Sequence, residues 1–446
     1  MSNPTLDASL AEALIGIDTL WGGDVMNPSG VGRFIADCWF SDVLLPQAYT
    51  HATAAALRSN GGVGARQPDR AAVAAYLENV DVRGAIARVA AGAQTVDGLR
   101  GAYLEGLAQC CEVMWDLAME LLGQGPEVSY DRCVRTITGR APEPSQPEAK
   151  RDRVAELLEA AGHPQRDRRT LLAAVDAWRA ARRVPAKSIA AVGDAFVAYY
   201  DALSARHLVP YLPVEFKRVP RANVRFLAIE NAWFSGSMNY LGHARRADGA
   251  PEYEATYELN AALDISVPEF QQLVSHEVVP GHVTTFAFLQ DLFVRGLVGF
   301  EASVLTMNTR VSVLFEGIAN NAILIAHGVT EPADLPDRDL ELGVLLALLQ
   351  DDAKNQASYL TWHERVPQAE VASILREEYL VTAERADKLS GAWGRHPLLG
   401  RMYLPVYRAG TELVAELRRR HPPEVILPAL YGARGLVDVA TLPRVL

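Results

Sequence analysis

The chain has 446 residues, 49% of them hydrophobic, and this length exceeds what a single hydrophobic core usually supports. We therefore expect two lobes, a helical N-terminal lobe over residues 1–145 and a second lobe over 146–446. The formal net charge of −11 argues against nucleic acid as a partner, because nucleic-acid binding normally requires a basic face.

The N-terminal region predicts helices and carries no targeting pattern. Its first segment, MSNPTLDASLAEALIGIDTLWGGD, has neither a positively charged start nor a cleavage-site pattern. Apolar runs such as LGVLLALL are too short to span a bilayer. We therefore expect a cytoplasmic protein with no membrane partner. The four cysteines form no C-x-x-C pair, and Cys111 lies on an apolar helical stripe, which predicts reduced core cysteines.

The middle of the chain contains the best linker candidate and the only strong β signal. GRAPEPSQPEAK (139–150) has three prolines in a polar setting, which is typical of a linker. Segments 222–234 and 252–263 alternate polar and apolar β-formers, with the loop GHARRADGAP between them. They predict a small antiparallel sheet.

From residue 266 to the end, the 3–4 residue spacing of apolar side chains predicts helices again. The predicted helices span 266–295, 300–327, 338–360, 368–392 and 402–420. The fold class is therefore mainly α, with the small sheet placed directly before, and beside, the helix that begins at 266.

That helix contains SHEVVPGHVTTF (275–286), which resembles an interrupted zinc-hydrolase motif. The common form, H-E-x-x-H, places two histidines on one helical face with a glutamate after the first. Here His276 and Glu277 are followed four positions later by Pro280, and the next histidine is His282. The spacing is therefore six residues.

Residues six apart on an unbroken helix point about 120° apart, so His276 and His282 could not bind one ion from such a helix. Pro280 removes an N–H and clashes with the preceding turn, and Gly281 gives the backbone freedom to bulge. If the two extra residues are extruded, His282 returns to the position that a four-residue spacing would give. The alternative is that both histidines are packed or helix-end residues.

The third ligand is expected on another element, because catalytic zinc keeps three protein ligands and one open position. The best candidate is Glu316, which lies on a helix that is apolar nearly all round. A carboxylate there is costly to bury unless it is paired or binds a cation. The alternative for Glu316 is a salt bridge to an arginine such as Arg310. His243, His327 and His363 are weaker candidate ligands.

The motif His276-Glu277-Val278-Val279-Pro280-Gly281-His282 resembles the H-E-x-x-P-G-H signature of the bacterial domain-of-unknown-function family 885, which looks like a divergent gluzincin-type zinc metallopeptidase. Over about 220–415, three further stretches are similar to family motifs in the same order: YELN (257–260), FEGIANN (315–321) and YLPVYRAG (403–410). The resemblance implies a gluzincin-like helical metallohydrolase with Glu316 as the acidic ligand. It places Tyr407 and Arg408 on the last motif and Asn260 on the first, and Asn320 and Asn321 end the second motif, which in the family is E-G-W-A-L-Y.

We therefore expect the 146–446 lobe to bind Zn²⁺, or another divalent transition metal, through His276, His282 and Glu316. Glu277 is the expected general base and Tyr407 the expected oxyanion donor. Expected substrate-binding residues are Arg408, Asn260 and Asn320. The predicted reaction is hydrolysis of a peptide or amide bond in a small molecule or short peptide.

Two other functions stay open. One is a metal-dependent tailoring reaction on a small metabolite, such as a non-peptide hydrolysis, an elimination or a rearrangement. The other is a metal-free helical binding protein that retains the motif as a relic. The sequence predicts neither the substrate nor the oligomeric state.

Overall fold

The computed structural model describes residues 4–26, 36–38, 44–230, 236–242, 244–260 and 265–446. Within these ranges the chain is mainly helical, as the sequence predicts, with short strands at two places. The helices are α1 (Pro4–Leu20), α2 (Gln47–Thr50), α3 (Ala52–Asn60), α4 (Arg70–Asn79), α5 (Val82–Ala93), α6 (Gly98–Leu122), α7 (Tyr130–Thr138), α8 (Glu148–Ala160), α9 (Arg168–Ala181), α10 (Ile189–His207), α11 (Val267–Glu277), α12 (His282–Val294), α13 (Arg310–His327), α14 (Arg338–Trp362), α15 (Gln368–Tyr379), α16 (Ala383–Lys388), α17 (Leu404–Arg420) and α18 (Pro423–Leu430). The strands are β1 (Ala36–Cys38), β2 (Val224–Ile229), β3 (Gly236–Leu241), β4 (Glu254–Asn260) and β5 (Val304–Thr306).

Helix α13 lies at the centre of the helical packing. Every residue from Val311 to Ala326 is buried, and the helix packs against α10, α11 and α17. Among the described residues, one stretch, Arg310–Asp334, is long and apolar enough to cross a bilayer by length and composition, but 72% of its most apolar window is buried inside the fold. This burial is the behaviour of a core helix, and it places Glu316 deep within the protein.

The three-stranded sheet is mixed, and the prediction of an antiparallel sheet is wrong in this respect. Its strand order is β2-β4-β3, with β4 parallel to β2 and antiparallel to β3. The two predicted strands correspond to β2 and β4, but β3 lies between them in sequence and reverses the chain direction. The ends of the predicted segments, at 231–234 and 261–263, lie outside the described residues. A separate antiparallel pair, β1 with β5, was not predicted.

Three predicted helices are interrupted in the structure. The 266–295 helix is divided into α11 and α12, and the 300–327 helix begins only at Arg310, after the short strand β5. The 368–392 helix ends at Tyr379, because Leu380 adopts a left-handed backbone conformation with a φ of 56°.

The proposed division at residues 145/146 stays a prediction. The segment 141–147 is irregular, as expected of a linker, but Ser145 is buried and its backbone N–H donates to Gln356 Oε1 on α14. One hydrophobic core cluster also contains side chains from both sides of the boundary, for example Leu10 and Val313. Cys110, Cys111 and Cys133 are buried free thiols, which confirms the core prediction for these three cysteines.

Candidate metal centre

The two histidines of the motif lie on different helices that meet at a sharp break. Ser266 caps α11 by accepting from the backbone N–H of Glu269, as the capping pattern predicts. The helix ends at Glu277, because Pro280 has no N–H to donate to the carbonyl four residues earlier. Helix α12 then begins at His282. The expected bulge is therefore a complete break, and the two histidines belong to separate helices.

Close backbone contacts fix this break. The Val279–Pro280 peptide is cis, and the N–H of Gly281 donates to the carbonyl of Ser275 at 3.0 Å. A Cβ atom on Gly281 would lie 1.8 Å from the carbonyl oxygen of His276, so only glycine fits there. The carbonyl of Pro280 accepts a hydrogen bond from the Tyr431 hydroxyl at 2.7 Å. The turn is thus held from both α11 and the C-terminal region.

The break brings the two imidazoles together with the predicted acidic ligand. His276 Nε2 lies 3.5 Å from Glu316 Oε2, and His282 Nε2 lies 3.8 Å from the same oxygen. The two rings are perpendicular, with centroids 4.8 Å apart. Glu316 is 5% exposed and His282 is buried, whereas His276 is half-buried. The structure therefore assembles the three residues that the sequence nominated as ligands, and this group could hold a metal ion.

A directed hydrogen-bond chain sets the tautomer of His276. The Thr411 hydroxyl donates to the carbonyl of Tyr407 at 2.7 Å, so its oxygen accepts from Asn320 Nδ2 at 2.8 Å. Asn320 Oδ1 is then left to face His276 Nδ1 at 2.7 Å, and Nδ1 must carry the proton. The lone pair of His276 is thereby placed on Nε2, which faces Glu316. Metal-ligating histidines are commonly oriented by such a hydrogen bond on the other ring nitrogen, so this chain fits His276 as a candidate ligand.

Tyr403 binds Oε1 of Glu316, the carboxylate oxygen that does not face the imidazoles. Its hydroxyl donates to Glu316 Oε1 at 2.5 Å, and the Tyr407 hydroxyl donates to Tyr403 at 3.2 Å. Burial, together with the charge of Glu316, raises the pKa of Tyr403, so its phenol stays protonated as a donor. Sequence reasoning missed Tyr403, although its spacing of four residues from Tyr407 on one helical face was a usable signal.

The pKa values of the three candidate ligands diverge for identifiable reasons. Burial lowers the pKa of His276 to about 3, and the charge of His282 contributes in the same direction. Burial would also lower the pKa of His282, but the Glu316 carboxylate, 3.8 Å from its Nε2, outweighs this effect and raises that pKa. Burial opposes ionisation of Glu316, yet the two imidazoles hold its pKa below the usual range. His276 is therefore neutral and Glu316 ionised at neutral pH, which are the states that a metal ligand requires.

A buried lysine lies next to this group and was not predicted. Lys354 is 7% exposed, and its Nζ lies 2.9 Å from Asp351 Oδ1 and 3.2 Å from the centroid of the Tyr407 ring. Its positive charge lowers the pKa of both His276 and Glu316. The signal in the sequence was the run QDDAK inside an otherwise apolar helix.

The remaining predicted site residues divide into two groups. Glu277 is half-buried at the end of α11, and its negative charge raises the pKa of His282 and Tyr407, so it lies close to the centre. Tyr407 is half-buried beside Tyr403. Asn260 is the last residue of β4. Substrate binding by Asn260 stays a prediction.

The guanidinium of Arg408 is bound within the protein, and its predicted role in substrate binding stays a prediction. Its guanidinium donates to Glu412 Oε1 at 2.8 Å and to the carbonyl of Pro144 at 2.9 Å. It therefore ties the irregular 141–147 segment to α17. Asn320 is another predicted substrate contact. Its amide oxygen faces His276 Nδ1 and its amide nitrogen donates to the Thr411 hydroxyl, so both are bonded within the protein.

The alternatives raised from the sequence find other partners. Arg310 donates to the carbonyl of Thr136 and to Gln109 Oε1, so it does not neutralise Glu316. His363 stacks on Tyr359 with ring centroids 4.7 Å apart. His327 packs against Tyr199 and Tyr200 at the end of α13, and His243 lies outside the described residues.

Two buried polar atoms without hydrogen-bond partners bear on whether a cation fits the centre. Among the described residues, His282 Nδ1 and Glu316 Oε2 are buried without a hydrogen-bond partner. Buried polar atoms are nearly always satisfied, so an unpartnered Glu316 Oε2 between the two imidazoles fits a group that could hold a metal ion. Ligands about 2 Å from a tetrahedral ion lie roughly 3.3 Å apart, close to the separations observed here. Two imidazoles and a carboxylate suit zinc and other divalent transition metals.

No protein-family model and no curated protein matches the chain. Among solved structures, the fold is similar to the putative lipoprotein from Colwellia psychrerythraea, with a TM-score of 0.52 and 14% identity over 81% of this chain and 68% of that one. It is also similar to a putative lipoprotein of unknown function from Shewanella oneidensis, with a TM-score of 0.52 and 11% identity over 91% and 79%. Identities this low show the fold alone. The resemblance to family 885 stays a prediction.

We expect Asn320→Ala to weaken metal binding without unfolding the protein. Losing the acceptor on His276 Nδ1 frees the ring and its tautomer, which typically lowers metal affinity about 10- to 100-fold. Competition against a chromophoric chelator measures this loss. Asn321→Ala is the matched control, because the Asn321 amide bonds to the carbonyls of Gly317 and Thr411 and to Arg418, and to neither histidine. Equal zinc affinity in the two variants would contradict the orienting role of Asn320.

We expect Gly281→Ala to lower the free energy of unfolding by at least about 2 kcal/mol, because the added Cβ collides with the carbonyl of His276. Chemical denaturation measures the change, and zinc binding should be lost with it. Gly125→Ala serves as the control, since a Cβ there approaches nothing closer than 3.1 Å. A Gly281→Ala protein with unchanged stability would show that the turn relaxes easily.

Proposed function

We propose that the protein is a metal-dependent hydrolase that cleaves a peptide or amide bond. The observation that carries the proposal is the meeting of His276, His282 and Glu316, with an unsatisfied carboxylate oxygen between the two imidazoles. The adjacent carboxylate of Glu277 supports it, because hydrolysis requires a base that is not itself a ligand. The resemblance of residues 276–282 to the gluzincin-like family 885 supports the same reaction class.

A divalent cation held by these three residues would supply a Lewis acid that polarises a carbonyl group and makes water more acidic. Glu277 would accept the proton of the attacking water on its carboxylate and pass it to the leaving amine. Its position at the end of α11, directly after His276, keeps this carboxylate beside the ligands. Burial around the centre strengthens each of these electrostatic interactions.

Tyr407 would stabilise the developing negative charge on the substrate oxygen. Burial, with the charge of Glu316 adding to it, raises the pKa of Tyr407, so this phenol remains a hydrogen-bond donor at neutral pH. In the structure it donates to Tyr403. Rotation about its C–O bond would redirect the same proton towards a substrate oxyanion, while Tyr403 continues to hold Glu316.

A tailoring reaction on a small metabolite would use the same ligands and is the alternative proposal. The two hypotheses differ in the bond that is cleaved, so a panel of short peptides, N-acyl amino acids and metabolite extracts separates them. The metal-free binding function predicts no stoichiometric metal. Elemental analysis of purified protein after zinc reconstitution measures the metal content. A protein that takes up no transition metal would reject both metal-dependent proposals.

We expect Glu277→Gln to retain zinc and to lower turnover by about 10²- to 10⁴-fold, because the amide cannot accept the proton of water. Metal content and hydrolysis of the active panel substrate measure the two effects separately. Glu370→Gln is the control, since Glu370 is an exposed carboxylate in the first turn of α15. Full activity in Glu277→Gln would remove Glu277 as the base, whereas a loss of zinc would make it a ligand.

A further inference from the structure

Helix α14 borders the candidate site but carries none of the three candidate ligands. It packs against α11, which carries His276 and Glu277, and against α17, which carries Tyr407. Two consecutive carboxylates of this helix, Asp351 and Asp352, are buried. A buried carboxylate is costly unless it is paired, and each of these two binds a different lysine.

The two lysines bind their carboxylates in different ways. Lys150 of α8 donates to Asp352 at 2.7 Å, so this ion pair joins two helices. Lys354 donates to Asp351 at 2.9 Å, and both residues belong to α14. An ion pair within one helix joins no two elements, and burying it costs free energy. Pairing with Asp351 therefore does not explain why Lys354 is buried.

The ammonium group of Lys354 also contacts Tyr407 of the neighbouring helix. Its Nζ lies 3.2 Å from the centroid of the Tyr407 ring, which is a close cation–π contact. Tyr403 meets the same ring nearly edge-on, with centroids 5.2 Å apart and ring planes at 72°. The Tyr407 hydroxyl meanwhile keeps its hydrogen bond to the Tyr403 hydroxyl at 3.2 Å. These contacts fix the plane of the ring and leave the hydroxyl proton free to rotate.

We propose that the Lys354–Asp351 pair is a positioning device that holds the Tyr407 ring, so that its hydroxyl is directed at the oxygen on which negative charge develops. This inference rests on the proposed function, because it assumes that Tyr407 donates to a substrate oxyanion. Asp351 fixes the ammonium, and the ammonium fixes the ring through the attraction between a cation and the ring face. A donor aimed in advance stabilises the transition state more than the bound substrate. Loss of the pair should therefore lower kcat and leave KM nearly unchanged.

The test replaces both charges together, because removal of one would leave the other buried and unpaired. Apolar residues of similar volume often replace a buried ion pair without loss of stability, so the double variant Asp351→Leu with Lys354→Met should fold and retain zinc. We expect its kcat on the active panel substrate to fall about 10- to 30-fold, with KM changed less than about threefold. In the Tyr407→Phe background the same double change should have no further effect, because no hydroxyl remains to be positioned.

The control is Asp352→Leu with Lys150→Met, which removes the other buried ion pair of α14, whose lysine belongs to α8. This variant should keep the kcat of the wild-type protein. Chemical denaturation and zinc content are measured for every variant. If the first double variant does not fold, Asp351→Asn with Lys354→Gln, which removes the charges and keeps polar groups, is measured in the same way.

Binding is measured separately from turnover by calorimetry on the zinc-loaded protein. One probe is a phosphinic pseudodipeptide of alanine and phenylalanine, whose tetrahedral oxygens mimic the oxyanion, and the other is acetohydroxamic acid, a chelator without such a group. We expect loss of the Lys354–Asp351 pair to weaken phosphinate binding about 10- to 30-fold and to leave acetohydroxamate binding unchanged.

An unchanged kcat without the pair, or an equal loss of kcat in the Tyr407→Phe background, would overturn the inference and leave the hydrolase proposal intact. A folded variant that loses zinc would likewise overturn it. A wild-type protein that cleaves no panel substrate, yet binds the phosphinate with an affinity that depends on the pair and on Tyr407, would reject the hydrolase proposal and retain the positioning role. Absence of both cleavage and phosphinate binding would reject both.

Discussion

The arrangement depends on one interaction, the compensation of the Glu316 carboxylate inside an apolar helix. A buried carboxylate without partners costs several kcal/mol, so the surrounding helices must supply donors or charge. Tyr403, directly before α17, satisfies one oxygen by donating a hydrogen bond, and the two imidazoles face the other. Helices α11 and α12 and the residue directly before α17 provide these groups, and all three helices pack against α13. A structural core and a candidate catalytic site are built from the same helix.

The second constraint is the break between α11 and α12, which decouples the directions of the two histidines. A continuous helix would fix the angle between His276 and His282 through its own periodicity. With the break, the orientation of each ring depends on its own surroundings. Asn320 sets the ring of His276, whereas the ring of His282 stacks on Phe286 with centroids 5.5 Å apart. Pro280 and Gly281 allow the chain to change direction between the two helices, and the tight packing around Gly281 then fixes that direction.

The residues that could be predicted are those whose chemistry conflicts with their local pattern. Glu316 was found because a charge interrupts an apolar helix, and His282 because Pro280 and Gly281 explain its spacing. The direction of β4 relative to β2 could not be read from alternation, which is the same for parallel and antiparallel neighbours at this length. The contacts of Asn320 and Arg408 were also inaccessible, because they depend on how α13 and α17 pack. The position of a residue in a motif says which helix carries it, but not which partner it meets.

The other charges around the centre are compensated for the same physical reason. Lys354 and Asp351 form a buried ion pair at 2.9 Å, and a divalent cation at the three candidate ligands would be balanced by the carboxylates of Glu316 and Glu277. Uncompensated charge is costly in this partly buried space. Charge compensation thus constrains the candidate site in the same way that it constrains the packing around Glu316.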